Sequence, residues 1–365
     1  MTDQSILPIR FYGSNISYFS GKLEMYFRAK GIPYEWHTMT MRCMEKVIGP
    51  NTGVTQMPAL QLGDGRWMTD TTAIIAWFEE HYPGPSITPT DPVKRFFSLL
   101  LEDYADEWLW RPAMHYRWYD DEGAMQLSRH IANELMDDIP APGFLKRWLM
   151  RQRQRRGFTA GDGVSAGNRL QVEAIYHDNL AILEGILQTR PFLLGEQPSL
   201  ADIAFMGPMF RHFSQDPAPA EIMRQNAPAV AEWTARLWNC SPGQCAGEWL
   251  KGIPQDWAPW LRDIGTNYLP YLNANAEAVA VGKKRFDCSI GGVSYRGARS
   301  SPYRIWCLEQ LRGHYTSLAE NDQLVVRDLL EQHGCWTPLW QIEHLDSEVN
   351  RALSPPFGSN AKMIG

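Results

Sequence analysis

Residues 56–60, with the sequence QMPAL, limit the possible folds of this chain more than any other stretch. A proline stands at the entrance of a short apolar strand, and a glycine-containing turn then leads to an Asp70-Thr71 pair that opens a helix. Only proline makes a cis peptide bond energetically accessible, and a cis bond between Met57 and Pro58 would turn the main chain outward, toward a ligand with amide groups of its own. The alternative interpretation is a strand-edge proline followed by an ordinary helix cap.

The residues before this fragment predict a β-α-β unit. Residues 10–14 form a short apolar strand, residues 17–31 a helix that is capped by serine and stopped by glycine, and residues 32–36 a second strand. The strand after Pro58, a glycine hairpin and a helix over 72–82 complete the order. This is the thioredoxin-like arrangement, and the chain resembles the glutathione transferase superfamily over roughly residues 9–240.

In that superfamily the first helix begins with the residue that activates the thiol of glutathione, the cosubstrate. The matching tetrad here is residues 17–20, and the resemblance places the activating hydroxyl on Ser17. A hydroxyl donor and a helix N-terminus both favour the thiolate, although Ser17 is equally suited to be a plain N-cap. Tyr12, Tyr18 and Ser20 are the alternatives. Because the tetrad contains no cysteine, thiol–disulfide exchange at this position is not expected.

The resemblance also implies how glutathione is held. Gln56, Met57 and Pro58 would align the tripeptide through the main chain. Asp70 and Thr71 would hold its γ-glutamyl end, since a helix N-terminus with a hydroxyl is suited to bind a carboxylate.

One position departs from the family pattern. Many relatives place a lysine or arginine just before the proline dipeptide, where it meets the glycyl carboxylate of glutathione, whereas this chain has Thr55 and Gln56 there. Lys46, Arg42 and Arg66 are the candidate substitutes.

An all-helical second domain is expected after a proline-rich linker. Asp91 and Pro92 are a cap and a first-turn proline, and they open a long helix that should bend near Pro112. Its aromatic stripe is expected to be mostly core, with at least one member in the pocket for an electrophilic substrate: Tyr104, Trp108, His115 and Tyr116. Further on, Ser199 and Asp202 form a capping box, to which we assign a structural role.

These signals predict three regions. Residues 1–84 form the thioredoxin-like α/β glutathione-binding domain, and residues 91–240 the all-helical domain, with an insertion at about 120–166. Residues 241–365 form an α+β extension with a hairpin around Gly291-Gly292. The apolar residues of the extension must pack either on its own chain near the pocket mouth or on a second subunit.

Composition excludes several classes of protein. At 365 residues with a net charge of −6, the chain suits two domains and a further piece, and we expect no nucleic-acid partner. No apolar run is long enough to cross a bilayer and no signal peptide is evident, so no membrane partner and a cytoplasmic location are expected. The six cysteines are scattered, and neither disulfides nor a metal site are predicted.

One basic stretch stands out within the insertion. Six lysines and arginines fall within residues 146–156, together with Trp148. We interpret the stretch as a solvated helical face, with an anionic ligand or acidic partner as the alternative.

The sequence therefore favours a homodimeric, glutathione transferase-like enzyme, in which the glutathione thiolate attacks a hydrophobic small molecule. Conjugation, thiolytic cleavage and isomerisation all fit the same site residues. The alternative is a non-catalytic scaffold of the same fold that binds a protein partner.

Overall fold

The computed structural model describes residues 4–349 and 355–357, and its first domain is built on a four-stranded sheet. The strand order is β2-β1-β3-β4, with β1 and β2 parallel and the other two pairs antiparallel. The strands are β1 (Ile9–Gly13), β2 (Tyr34–Thr38), β3 (Ala59–Gln61) and β4 (Trp67–Thr69). The helices of this domain are α1 (Tyr18–Lys30), α2 (Met41–Cys43), α3 (Gly49–Thr52) and α4 (Thr71–His81). The predicted thioredoxin-like fold is confirmed.

Helix α1 begins and ends at the residues that the sequence predicts. Ser17 has extended backbone angles, and its hydroxyl accepts the N–H of Ser20 as an N-cap. Gly31 ends the helix with φ of 75°, a conformation that glycine adopts without steric cost.

The second domain is helical, as expected. Its helices are α5 (Pro92–Trp108), α6 (Trp110–Tyr119), α7 (Asp121–Leu135), α8 (Gly143–Gln154), α9 (Arg169–Leu187), α10 (Leu200–Pro208), α11 (Pro217–Asn226) and α12 (Pro228–Trp238). Two π-helical segments follow α8 and α10, at Arg155–Thr159 and Met209–Phe213. The predicted insertion is thus ordered mainly as α7 and α8.

The break in the long first helix lies at Leu109, three residues before Pro112. Pro112 sits in the first turn of α6, where its missing N–H would have no partner within the helix in any case. The break rotates α6 about its axis relative to α5, and this rotation decides which side chains of α6 face the first domain.

The capping box at Ser199 is present and serves more than the helix end. The buried Asp202 carboxylate accepts the N–H groups of Ser199 and Leu193, each at 2.9 Å, and the indole N–H of Trp233 at 3.1 Å. One side chain thereby joins α10, the loop before it and α12.

The extension contains helices and one hairpin. Its elements are α13 (Ala258–Asp263), α14 (Leu269–Ala280), β5 (Arg285–Ile290), β6 (Val293–Arg299), α15 (Pro302–Thr316), α16 (Glu320–Gln332) and α17 (Trp336–Trp340). Gly291 and Gly292 have φ of 56° and 79° in the hairpin turn. Helix α15 continues past Gly313 to Thr316, because one glycine costs a helix only about 1 kcal/mol.

The extension packs on its own chain, against α5. The hydroxyl of Tyr104 donates to Asp263, and that of Tyr268 donates to Asp103, both at 2.6 Å. Trp260 is fully buried with the core of the helical domain, stacked on Phe205.

A buried arginine connects the insertion to this extension. Arg111 is fully buried beneath the rings of Trp108, Tyr271 and Tyr295, and its guanidinium carbon lies 4.4–4.6 Å from each ring centroid. Its Nε pairs with Asp162 Oδ2 at 3.1 Å. Asp162 Oδ1 in turn accepts from Arg304 of α15 at 2.9 Å, so the two arginines share this carboxylate, and Arg304 also pairs with Glu107 of α5 at 3.4 Å.

Candidate active site

A cavity of about 290 Å³ lies between the first domain and the helical domain. The first domain contributes Ser17 and Phe19 at the start of α1, and the segment Thr55, Gln56 and Met57 before β3. The facing wall is largely apolar and aromatic: Trp110, Met114, Trp118, Ile131, Leu135 and Phe158. The cavity therefore combines a polar edge with an apolar wall, which is typical of sites that bind small molecules.

Ser17 is placed to donate a hydrogen bond into this cavity. Its hydroxyl oxygen accepts the Ser20 N–H at 3.3 Å, and this bond leaves the O–H hydrogen unused. The N-terminus of a 13-residue helix adds a partial positive charge at the same place. A thiolate at this edge would gain from both effects.

Met57 lies at the same edge, and its peptide bond to Pro58 is cis. Pairing between β1 and β3 starts only at Ala59, opposite Tyr12, so Met57 precedes the paired part of the strand. Pro58 is buried behind it. Met57 thus lines the cavity and takes no part in the β1–β3 pairing.

The other hydroxyls considered as thiol activators have different surroundings. Tyr12 is stacked between His37 and Trp67 on the sheet and does not line the cavity, and burial raises its pKa. Tyr18 also lines the cavity, but its hydroxyl donates to the Ala105 carbonyl at 2.5 Å, and burial raises its pKa well above the usual value.

Ser20 is buried and accepts the main-chain N–H of Ser14 at 3.3 Å. Among these hydroxyls, Ser17 alone is both on the cavity wall and free to donate into it.

Asp70 and Thr71 do not line this cavity. Asp70 caps α4 with φ of 73°; its Oδ1 accepts the Ala73 N–H at 3.1 Å and its Oδ2 accepts the hydroxyl of Tyr303 at 3.0 Å. Burial raises the pKa of Asp70, while these two donors act in the opposite direction. The extension thus reaches the residue expected to hold the γ-glutamyl group.

A buried lysine lies next to this region. Lys22 Nζ is fully buried and pairs with Glu102 at 2.6 Å and Asp106 at 2.5 Å, both on α5. The two carboxylates raise the pKa of Lys22 despite its burial, so the lysine stays charged. This triad joins α1 of the first domain to α5 of the second.

The residues expected in the substrate pocket lie elsewhere. Tyr104 and Trp108 line a separate groove that faces α13 and the hairpin of the extension. His115 is buried against Glu173 at 3.0 Å, and the Tyr116 hydroxyl contacts His177 at 3.2 Å. None of the four lines the cavity at Ser17.

The side chains of α6 that do face the cavity follow a helical spacing, but they are not the residues predicted for the substrate pocket. Trp110, Met114 and Trp118 are four residues apart and so share one face of the helix. The angular positions of these three side chains around the helix cannot be extrapolated from Tyr104 and Trp108, because a new helix starts after Leu109. The insertion adds Ile131, Leu135 and Phe158 to the wall, and no local pattern marked these residues.

The basic groups at the cavity differ from those expected. Arg66 pairs with Asp64 at 2.7 Å, away from the cavity, and Arg42 and Lys46 flank the lining residue Met44. Arg153 of α8 does line the cavity.

His212 also lines the wall, and burial together with Arg117 lowers its pKa well below the usual value. His212 is therefore neutral at physiological pH.

Within the described ranges, 4–349 and 355–357, no group of three or more His, Cys, Asp or Glu side chains is placed to hold a metal ion. None of the helices in that part of the chain is long and apolar enough to cross a membrane.

The fold and site define a two-domain protein with a thioredoxin-like domain, a helical domain and a cavity between them. Two family models match it in this order: the glutathione S-transferase N-terminal domain over residues 11–86 and the C-terminal domain over residues 168–239. The chain belongs to the glutathione S-transferase superfamily.

Comparisons with individual proteins are distant. A probable glutathione S-transferase of Solanum tuberosum is 21% identical over 99 residues, which are 27% of this chain and 46% of that protein. Among solved structures, a beta-etherase of Sphingobium sp. strain SYK-6 shows 21% identity and a TM-score of 0.45, covering 63% of this chain and 95% of that one. A glutathione S-transferase of Rhodospirillum rubrum F11 shows 18% identity and a TM-score of 0.42, covering 68% and 97%.

Proposed function

We propose that the chain is a glutathione-dependent enzyme that activates the glutathione thiol at Ser17 for attack on an apolar electrophile. The observation that carries this proposal is the shared cavity: Ser17 and Met57 form its polar edge, and the aromatic wall faces them. The thiol would lie at the N-terminus of α1, and the electrophile would pack against Trp110 and Trp118. Conjugation, thiolytic cleavage and isomerisation remain the candidate reactions.

The proposed chemistry needs a thiolate near neutral pH. A hydrogen bond to a charged group contributes about 1.5–3 kcal/mol. Since one pH unit corresponds to about 1.4 kcal/mol, donation from Ser17 would lower the pKa of the bound thiol by about 1–2 units. The helix N-terminus would add to this effect.

The experiment is a titration of the thiolate absorbance in the glutathione complex. Ser17→Ala should raise the pKa of the bound thiol by about 1–2 units while affinity changes little. Ser17→Thr keeps the hydroxyl and should restore the wild-type titration. Ser20→Ala is the matched control, because Ser20 lies in the same helical turn but faces Ser14.

Two outcomes would count against the proposal. If calorimetry detects no glutathione binding to the wild type at millimolar ligand, the chain is not a glutathione-dependent enzyme, and the hypothesis of a non-catalytic scaffold of the same fold takes its place. If glutathione binds but Ser17→Ala leaves the titration unchanged, the activating group is another hydroxyl, and Tyr18, which also lines the cavity, is the next candidate before Tyr12.

A further inference from the structure

Helix α8 exposes large apolar side chains to solvent. The exposed fractions are 69% for Phe144, 38% for Leu145, 51% for Trp148 and 42% for Leu149. Exposed apolar residues are common one at a time, but a cluster of four on twelve residues of helix is not. Such a cluster marks a surface that contacts something apolar.

The four side chains form one patch. Successive residues of an α-helix are about 100° apart, so Phe144 and Trp148 lie above one another, and Leu145 and Leu149 form the adjacent row. Met150 points to the opposite side and is buried against the body of the protein. We call the patch of Phe144, Leu145, Trp148 and Leu149 the α8 face.

Positive charge lies along one edge of the α8 face. Six lysines and arginines occur within residues 146–156, and no aspartate or glutamate occurs within 139–161, although the whole chain has a net charge of −6. Arg147 and Arg151 flank the row of Phe144 and Trp148 by their position on the helix. A helix with aromatic and aliphatic residues on one face and arginines beside them is typical of one that lies in the interface of a membrane.

We propose that the α8 face docks the protein on the surface of a bilayer that contains anionic phospholipids. A second copy of the chain would bring two sets of arginines together, and like charges oppose that contact. A nucleic acid would satisfy the arginines but would leave the apolar patch without a partner. At about 18 Å, α8 is far too short to span a bilayer, so the contact is peripheral.

The position of α8 gives this docking a consequence, which rests on the proposed function. Arg153 and Gln154 of the same helix line the cavity at Ser17, as does Phe158 just after it. Docking would therefore place this wall of the cavity close to the lipid surface. An apolar electrophile dissolved in the bilayer would have a short path to the site.

The test is flotation of the purified full chain with vesicles of phosphatidylcholine, with and without phosphatidylglycerol. The wild type should float with the mixed vesicles, bind pure phosphatidylcholine weakly and be released by salt. Arg147→Gln with Arg151→Gln should weaken binding to mixed vesicles by about thirtyfold, at about a factor of five for each charge near the surface. Phe144→Ser with Trp148→Ser should weaken binding to both kinds of vesicle.

Leu324→Ser is the matched control, because Leu324 of α16 is 56% exposed and lies outside the α8 face; it should leave flotation unchanged. Because none of these positions lines the cavity at Ser17, glutathione binding should survive in every variant and reports separately on the proposed function. The proposal is overturned if the wild type does not float with mixed vesicles, or if both double variants float as well as the wild type. It is also overturned if Phe144→Ser with Trp148→Ser turns a dimer into a monomer in sedimentation, which would identify the α8 face as a subunit interface, or if the wild type is retained on heparin but not by vesicles.

Discussion

The bond between Tyr303 and Asp70 connects the extension to the expected γ-glutamyl site, and Tyr303→Phe removes that bond alone. The ring remains to fill its buried position against Trp306, at 5.1 Å between centroids, so no cavity is created. The Asp70 carboxylate keeps the Ala73 N–H but loses the donor at Oδ2.

The expected loss of stability follows from the charge of the acceptor. A hydrogen bond to a charged group contributes about 1.5–3 kcal/mol, and a buried carboxylate oxygen left without a donor places the loss in that range. Tyr303 also helps to hold down the pKa of Asp70, which burial raises, so the variant should raise that pKa further. The deficit of Tyr303→Phe should therefore shrink at low pH, where Asp70 is protonated in both proteins.

Chemical denaturation of the wild type and Tyr303→Phe at neutral and acidic pH measures this loss. Tyr315→Phe is the matched control, since it makes the same chemical change on the same helix, where the ring packs against Trp336. If Tyr303→Phe and Tyr315→Phe are equally stable at neutral pH, the bond contributes nothing and the argument fails.

The same pair of residues tests glutathione recognition. Asp70→Asn keeps a capping side chain that tolerates positive φ, but it removes the charge; if the γ-glutamyl end binds there, affinity should fall about tenfold to a hundredfold. Tyr303→Phe should leave the affinity for glutathione equal or higher, because the Tyr303 hydroxyl no longer competes with the ligand for the Asp70 carboxylate. Calorimetry that shows weaker binding in Tyr303→Phe would instead assign the hydroxyl itself to the ligand.

Three further predictions concern stability. Lys22→Met should destabilise the chain by about 3–5 kcal/mol in chemical denaturation, because two buried carboxylates lose their cation; a change below 1 kcal/mol would show that the triad is solvated. Burial raises the pKa of Asp103 from 3.8 to about 7. The folded state therefore binds this proton more tightly than the unfolded state does, and the resulting stability is complete below about pH 4 and is lost as the pH rises through about 7. Asp103→Asn should flatten the pH dependence of unfolding in that window, and an unaltered profile would contradict the assignment. Truncation after Ser241 should give insoluble protein, since it removes Trp260 and Tyr268 from the core; a soluble, cooperatively folded product would refute this.

Features that depend on near neighbours in the chain could be predicted from the sequence. The cap at Ser17, the stop at Gly31 and the capping box at Ser199 are each decided within about four residues, and all are present. The glycine turn of the β5–β6 hairpin is another case. Together with the resemblance to the superfamily, these local signals were enough to predict the fold.

The wall of the cavity could not be predicted in the same way. A break at Leu109 rather than Pro112 rotates the face of α6, and no propensity distinguishes the two positions strongly enough. The contact of Tyr303 with Asp70 joins residues 233 positions apart, and the contribution of Phe158 depends on how the insertion folds back. Such contacts are decided by tertiary packing.

The buried cluster around Arg111 bears on how small a working version of this protein can be made. Deleting the insertion would remove Asp162, the carboxylate that pairs with the buried Arg111, and would leave Arg304 with Glu107 alone. Deleting the extension would remove Arg304, the cation beside Glu107, together with two of the three rings around Arg111. Either change leaves uncompensated charge in the interior, which costs about 3–5 kcal/mol for each broken pair. The two additions to the family fold therefore support each other through this cluster, and removing either one alone breaks an ion pair to which both contribute.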